Sequence, residues 1–339
     1  MNEEQREHFK ELCAVWIDHL NQVISFHPAD GFEQLPFATD KACMRDALKA
    51  AGVPIPLYYR VKNKDEFADA VDKIKSAGCK VIVKPADNSG SRGVNLLSDD
   101  SDPSVAYDYA AEYSRDGEIL VEEFMDGAEV SVETIAVNGE VNVLQITDKI
   151  TTGAPYFVET GHTQPSRLDA ATKEEIKRVA IAANKAIGIK SGPSHTEIKV
   201  TKGGPKIVEL GARLGGDCIT THLVPLSTGV DMVECCIKIA LGESPDITVK
   251  CDRGSAIRYF EQEAGVIEKI DGLDDAEESD GVKQVSVVHG VGEEVTEIVN
   301  SASRVGFVIA DGATADEAAT NAENAAKKVK VVIRKDKNA

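Results

Sequence analysis

Two glutamates and an arginine in the stretch His195–Asp217 are spaced to hold a divalent cation and a phosphate. The stretch predicts two strands, His195–Val200 and Lys206–Leu210, joined by Lys202-Gly203-Gly204, which supplies the positive φ of a three-residue hairpin loop. With Thr201 facing Pro205, Glu197 lies directly across from Glu209 and both side chains share one face. Carboxylates opposed in this way have Cβ atoms about 5 Å apart and repel unless something cationic sits between them. Mg2+ (or Mn2+) is the simplest such cation, since Mg2+ is usually held by one or two carboxylates plus substrate phosphates. Arg213, four residues after Glu209, projects to the same side, where its rigid fork suits phosphate oxygens. An exposed acidic pair on a solvent-facing hairpin fits the same residues, in a chain with 57 Asp+Glu against 38 Lys+Arg.

Other segments offer matching chemistry. Val81–Pro85 is a short β-branched strand ending in Lys84, and the loop after it holds Ser89, Gly90, Ser91 and Gly93, small residues whose backbone N–H groups can wrap phosphate oxygens. No Gly-Lys-Ser/Thr follows, so this is not a Walker A loop, and a flexible turn has the same composition. Lys41 falls in the first turn of a helix capped by Thr39 or Asp40. A cation there opposes the helix dipole and so suits a facing anion, although a solvated surface lysine is the plainer account. Glu129 opens a strand over Ala128–Val137, where a carboxylate can accept both ribose hydroxyls and the preceding strand over 118–124 can present backbone groups to a purine, while an acidic surface hairpin has the same residues. The segment Thr151–Arg167 has little periodicity and reads as a loop. Its Glu159 and His162 can touch substrate or simply be solvated.

The elements that must position these residues alternate between the two types. Helices are expected over 3–21, 40–51, 63–77, 103–114, 172–187 and 230–241 and from Asp316, with capping boxes at Asn63/Glu66 and Thr172/Glu175. Further strands are expected over 141–147, 255–260, 282–289, 306–310 and 329–333. Trp16 anchors the first helix, for packing or, as a second reading, for a homodimer contact. A net charge of −19 argues against general affinity for nucleic acid or anionic membrane. No apolar run is of transmembrane length and Met1–Lys10 is too polar to open a secretory signal, so a cytoplasmic protein is expected. The seven cysteines are scattered without a C-x-x-C pair, which predicts buried reduced thiols rather than disulfides or zinc.

Taken together, Lys41 and Lys84, the loop Ser89–Gly93, the VEEF segment Val121–Phe124 with the following Glu129, and the set Glu197, Glu209, Arg213 resemble the ATP-grasp superfamily over roughly residues 36–333. Within it the chain looks most like the L-amino-acid ligases, near the carbamoyl-phosphate-synthase and biotin-carboxylase branch. Glu159-x-x-His162, Gly211 in place of that branch's usual Asn, Leu-Gly-Gly after Arg213, and the stretch from AIRYF to GFVIADG all fit. The resemblance implies an α+β ATP-grasp fold, two α+β lobes clasping ATP. A small lobe would span about 60–125 and a large lobe about 126–250 within a domain over 39–250, followed by a small C-terminal α+β domain over 251–339. Residues 1–38 would be the remnant of, or replacement for, an N-terminal α/β domain that in the family runs to roughly a hundred residues.

The implied activity is that of a carboxylate–amine ligase working through an acyl-phosphate on small-molecule substrates, amino acids foremost. Adenine would lie at Glu122, Glu123 and Phe124, ribose at Glu129, phosphates at Lys41, Lys84 and Ser89–Gly93, and Mg2+ at Glu197 and Glu209. Arg213 would meet developing charge, and Glu159 and His162 would face the substrate. The alternatives are a nucleotide-binding protein whose catalysis went with the N-terminal domain, and a purine-biosynthesis-type or biotin-carboxylase-type ligase.

Overall fold

The computed structural model describes residues 40–88, 92–98, 102–154 and 156–335. The expected Trp16 helix and the expected N-terminal remnant or replacement over residues 1–38 lie outside them. The helices are α1 (Lys41–Ala50), α2 (Lys64–Ser76), α3 (Pro103–Tyr113), α4 (Ala170–Ile187), α5 (Val224–Thr228), α6 (Met232–Ala240), α7 (Leu273–Glu277) and α8 (Ala315–Ala326). The strands are β1 (Tyr58–Val61), β2 (Val81–Pro85), β3 (Asn95–Leu96), β4 (Ile119–Glu123), β5 (Ala128–Val137), β6 (Glu140–Thr151), β7 (Glu159–Gln164), β8 (Gly192–Thr201), β9 (Gly204–Gly211), β10 (Gly254–Tyr259), β11 (Gly265–Asp271), β12 (Val282–Val287), β13 (Glu294–Val295), β14 (Gly306–Gly312) and β15 (Lys330–Arg334).

Side-chain oxygens start every helix but the five-residue α5 and α7. Asp40 accepts from the Cys43 N–H to open α1, and Asn63 accepts from the Glu66 N–H to open α2 while Glu66 takes the Lys62 N–H. Helix α4 begins two residues earlier than its expected box, because Asp169 accepts both the N–H and the hydroxyl of Thr172. Gly188 ends it at φ +84, a conformation that costs glycine nothing.

Strands β1-β4-β2-β3 form a four-stranded sheet, against which α2 buries Phe67, Val71 and Ile74. Each such side chain is worth about 1.5–3 kcal/mol of transfer free energy. The larger sheet has eight strands in the order β12-β14-β10-β7-β6-β5-β8-β9. One of its faces packs Val130, Val132, Ile198 and Ile207 on Leu48 of α1 and on Ile176, Val179 and Ile187 of α4. The opposite face packs Ile135, Leu144, Ile257 and Ile309 on Leu223, Val224 and Met232. Strands from both sides of residue 251 therefore share one sheet, and β13-β11-β15 form a third, smaller one. Gly127 makes the bend between the two main sheets, at φ +143, where a Cβ would lie 2.0 Å from the Val200 carbonyl oxygen.

Three expectations change. The segment carrying Glu159 and His162 is the strand β7 rather than a loop, paired with β6 and β10. Strand β6 runs four residues past its expected end at Thr147, which brings Lys149 into the sheet. All six described cysteines are free thiols, as expected, but of these only Cys235 is fully buried. Among the described residues no helix is long and apolar enough to cross a membrane.

Candidate active site

The expected glutamate pair forms, by a route the sequence did not predict. The β8–β9 loop has two residues rather than three, so Thr201 faces Gly204 and Val200 faces Pro205. Continued unbroken, that register would put Val208 across from Glu197 and turn Glu209 to the other face. A bulge at Val208 restores the pair: Ile198 faces Ile207 and Glu197 faces Glu209.

Both glutamates line a cavity between the four-stranded and eight-stranded sheets, together with Lys41, Lys84, Glu122, Glu123, Phe124, Glu129, Glu159 and Arg213. Ten expected residues thus converge. Ser89, Gly90 and Ser91 lie outside the described residues, although Asn88, Arg92 and Val94 beside them line the cavity. Gly93 is buried at φ +75 against Pro85 and Tyr113 and is not part of the lining. His162, expected to face substrate, is also outside the lining: it is 1% exposed, with Nε2 3.1 Å from Asp217 Oδ2. Burial rather than strand alternation keeps it from the cavity: a bulge at Thr160 breaks the two-residue period between it and Glu159, and its Nε2 is taken up by Asp217.

The protein supplies cations to both glutamates. Lys41 Nζ lies 3.2 Å from Glu209 and donates to the Asn88 carbonyl, as its place in the first turn of α1 allows. Lys149 Nζ lies 2.8 Å from Glu129 and 3.1 Å from both Glu159 and Glu197. Burial alone would lower its pKa, but Glu197, Glu129 and Glu159 outweigh burial and hold it well above the usual lysine value. The repulsion between the glutamates is therefore already offset by ammonium groups, and a metal is not the sole means of keeping the pair together.

The donor set nevertheless fits Mg2+. Two hard carboxylates face one cavity beside phosphate-suited cations, the number Mg2+ takes when a nucleotide supplies the remaining oxygens. Among the described residues the one group of three side chains with close ligand atoms is Asp40, Asp116 and Glu118, apart from this lining.

A second layer was missed by sequence reasoning. Arg45, fully buried on α1, donates to both oxygens of Glu122 at 2.6 and 3.2 Å, and Lys84 Nζ lies 2.6 Å from the same carboxylate. Burial would raise the Glu122 pKa, yet Arg45 and Lys84 bring it down to about 2. Burial also lowers the Lys84 pKa against the pull of Glu122. Glu122, expected at the purine, is thus committed to a buried triad. Glu123 pairs with Lys206, its N–H and that of Phe124 are bonded to the Leu57 and Lys80 carbonyls, and the Phe124 ring lies 5.9 Å from that of Phe157.

Beside the metal pair, His195 Nδ1 lies 2.6 Å from buried Glu133, and Nε2 lies 3.6 Å from Glu197. Burial would lower the His195 pKa, but the carboxylates, Glu133 foremost, raise it to about 10. Gly215 covers this pair so closely that a Cβ would meet His195 Nδ1 at 2.8 Å.

Comparison with known proteins follows the same lines. Residues 77–221 match the family described as ATP-grasp domain, and residues 258–334 match L-amino acid ligase C-terminal domain 2. The uncharacterized protein y4rH of Sinorhizobium fredii is 30% identical, over 84% of this chain and 59% of its own length. Alanine–anticapsin ligase of Bacillus subtilis is 29% identical, over 64% of this chain and 50% of its own. The chain spans between half and three fifths of the length of these curated relatives. An L-amino acid ligase structure from Bacillus licheniformis superposes with a TM-score of 0.77 at 23% identity, covering 91% of this chain and 75% of that one, a likeness of fold. The chain carries an ATP-grasp domain over residues 77–221, followed by an L-amino acid ligase C-terminal domain over residues 258–334.

Proposed function

We propose that this chain is an ATP-dependent carboxylate–amine ligase that joins an amino-acid carboxylate to an amine, releasing ADP and phosphate. The observation carrying the reading is the convergence of Lys41, Lys84, Arg213 and the Glu197–Glu209 pair on one cavity. Phosphoryl transfer asks a protein mainly for positioning and charge neutralisation. Lys41 and Lys84, reaching the cavity from α1 and β2, hold the phosphates of ATP. Glu129 accepts the ribose hydroxyls, and the segment after β4 borders the adenine. Arg213 meets the charge that develops as the substrate carboxylate attacks the γ-phosphate. The acyl-phosphate so formed loses phosphate when the amine attacks, and Glu159 faces the amino-acid substrate. Mg2+, held by Glu197 and Glu209 when bound, neutralises phosphate charge. His162 orders the wall from behind through Asp217 rather than touching substrate.

Phosphate release from ATP is the test, measured across a panel of amino acids and other carboxylates. Release that depends on an amino acid, with an amide product detected by mass spectrometry, supports the reading. ATP-stabilised melting without release across the panel makes the chain a nucleotide-binding protein instead. Release that depends on bicarbonate or on a ribosylamine moves it to the carboxylase-type or purine-type ligases.

A further inference from the structure

Glu159, which faces the amino-acid substrate, and Arg213, which meets the charge developing where that substrate attacks, stand on different segments, and one residue from far along the chain ties those segments together. Arg304 lies just after the short helical turn Ser301–Ser303 and just before β14. Its guanidinium is stacked over the Tyr259 ring, 3.8 Å from the centroid, and the residue is 8% exposed. Four donations leave it. Nε donates to the Ser301 carbonyl at 2.9 Å and Nη1 to the Glu159 carbonyl at 3.2 Å. Nη1 and Nη2 donate to Asp217 Oδ2 and Oδ1 at 3.0 and 2.7 Å. The Ser301 hydroxyl adds a contact of 3.4 Å to Glu159 Oε2.

Asp217 needs such a partner. It and Cys218 have φ of +52 and +60, two successive non-glycine residues in the left-handed region, where L side chains are disfavoured. The turn is held by the Arg304 fork on one side and by His162 on the other. Asp217 closes the segment Arg213-Leu-Gly-Gly-Asp, so the placement of the turn bears on the placement of Arg213. A planar fork gripping both oxygens of a carboxylate fixes orientation as well as distance, which a lysine cannot do.

We propose that Arg304 is a positioning residue for the amino-acid subsite: from the C-terminal part of the chain it clamps Glu159 by its backbone and Arg213 through Asp217, setting the distance between the group that faces the amino acid and the group that meets the charge its carboxylate develops in attack. The proposal rests on the ligase reading for its substrate, and on geometry alone for the clamp. It assigns the C-terminal part of the chain a share in substrate selection while leaving the nucleotide end, built from Lys41, Lys84 and the Glu197–Glu209 pair, untouched.

The experiment compares wild type with Arg304→Ala, Arg304→Lys and Asp217→Asn in two readouts. In hydrogen exchange, Arg304→Ala should speed exchange in residues 159–164 and 211–223 and leave β2 and β4 unchanged. In kinetics, the KM for the amino acid should rise about tenfold or more in Arg304→Ala, as for loss of a charge-assisted hydrogen-bonded pair, while the ATP dissociation constant stays within about twofold. Arg304→Lys should recover little of the loss. Free guanidinium should lower the raised KM of Arg304→Ala and do nothing for Asp217→Asn. Unchanged exchange in 211–223, or amino-acid and ATP constants moving together, overturns the clamp. If wild type releases no phosphate with any amino acid, the ligase reading fails and the exchange result alone decides the clamp.

Discussion

Replacing Arg45 by methionine tests the deepest part of the site. The substitution keeps the volume of the side chain and removes a charge that touches both sheets. In the native chain Arg45 donates to Glu122 on β4 and also to the Val208 carbonyl at 2.8 Å, the carbonyl of the bulge residue that turns Glu209 onto the face of Glu197. Two consequences follow. Glu122 is left buried with Lys84 as its remaining partner in the triad, and removing one member of a buried ion pair costs about 3–5 kcal/mol. The depressed Glu122 pKa gives a related scale: from 4.5 to about 2, at about 1.4 kcal/mol per unit, what Arg45 and Lys84 leave after offsetting the cost of burial is a net of about 3 kcal/mol.

Because that pKa is depressed, its contribution is present above pH 4.5 and is lost as the pH falls toward 2. Arg45→Met should therefore lower the opening free energy of the Leu120 and Val121 amides, read by hydrogen exchange, by about 3 kcal/mol or more at neutral pH. It should also flatten the acid dependence of that opening. With the bulge carbonyl unbonded, Mn2+ affinity measured by paramagnetic resonance should fall as well. A loss below about 1 kcal/mol together with an unaltered acid limb would refute the triad as the support of this strand.

Further outcomes can be checked independently. Glu209→Gln should abolish Mg2+-dependent nucleotide binding while leaving circular dichroism unchanged; unaltered Mg·ATP titrations would rule out its metal role. Gly215→Ala should destabilise by about 1–3 kcal/mol, as overpacking does, because the added Cβ meets His195 Nδ1 at 2.8 Å and Glu133 Oε2 at 2.9 Å; an unchanged melting temperature contradicts that packing. His195 has its pKa raised from 6.5 to about 10, so the stability it contributes is full below pH 6.5 and is lost as the pH climbs through 10. His195→Gln should remove that alkaline loss in melting curves, and curves that still superpose on wild type above pH 7 would count against the Glu133–His195 pair.

Much of the site was legible in residue types and order. Lysines at a strand end and a helix start, small residues after the strand, and a glutamate pair followed by arginine carry their chemistry in one dimension, since hairpin pairing and helix capping are local. Asp40 and Gly188 marked helix ends by themselves. Glu159 was singled out although its segment lacked periodicity; β7 does not alternate because its consecutive residues 161–164 are all buried, so both faces of the strand are covered there.

What tertiary structure alone decided is which charged groups meet. The Asn138-Gly139 turn, with Val137 facing Glu140, sets a register that a bulge at Leu144 shifts by one, so that Val130 faces Asp148 and Lys149 comes to lie beside Glu129. The bulge at Val208 does the same for Glu209. An extra residue in a ladder is selected by what the displaced groups find elsewhere, here Arg45 from a helix 163 positions away in the chain and the ring of carboxylates around Lys149. Arg304, Asp217 and His162 meet for the same reason. Ion pairs between distant segments leave no periodic trace, so the sequence determined the kind of chemistry and the packing of the sheets determined its partners.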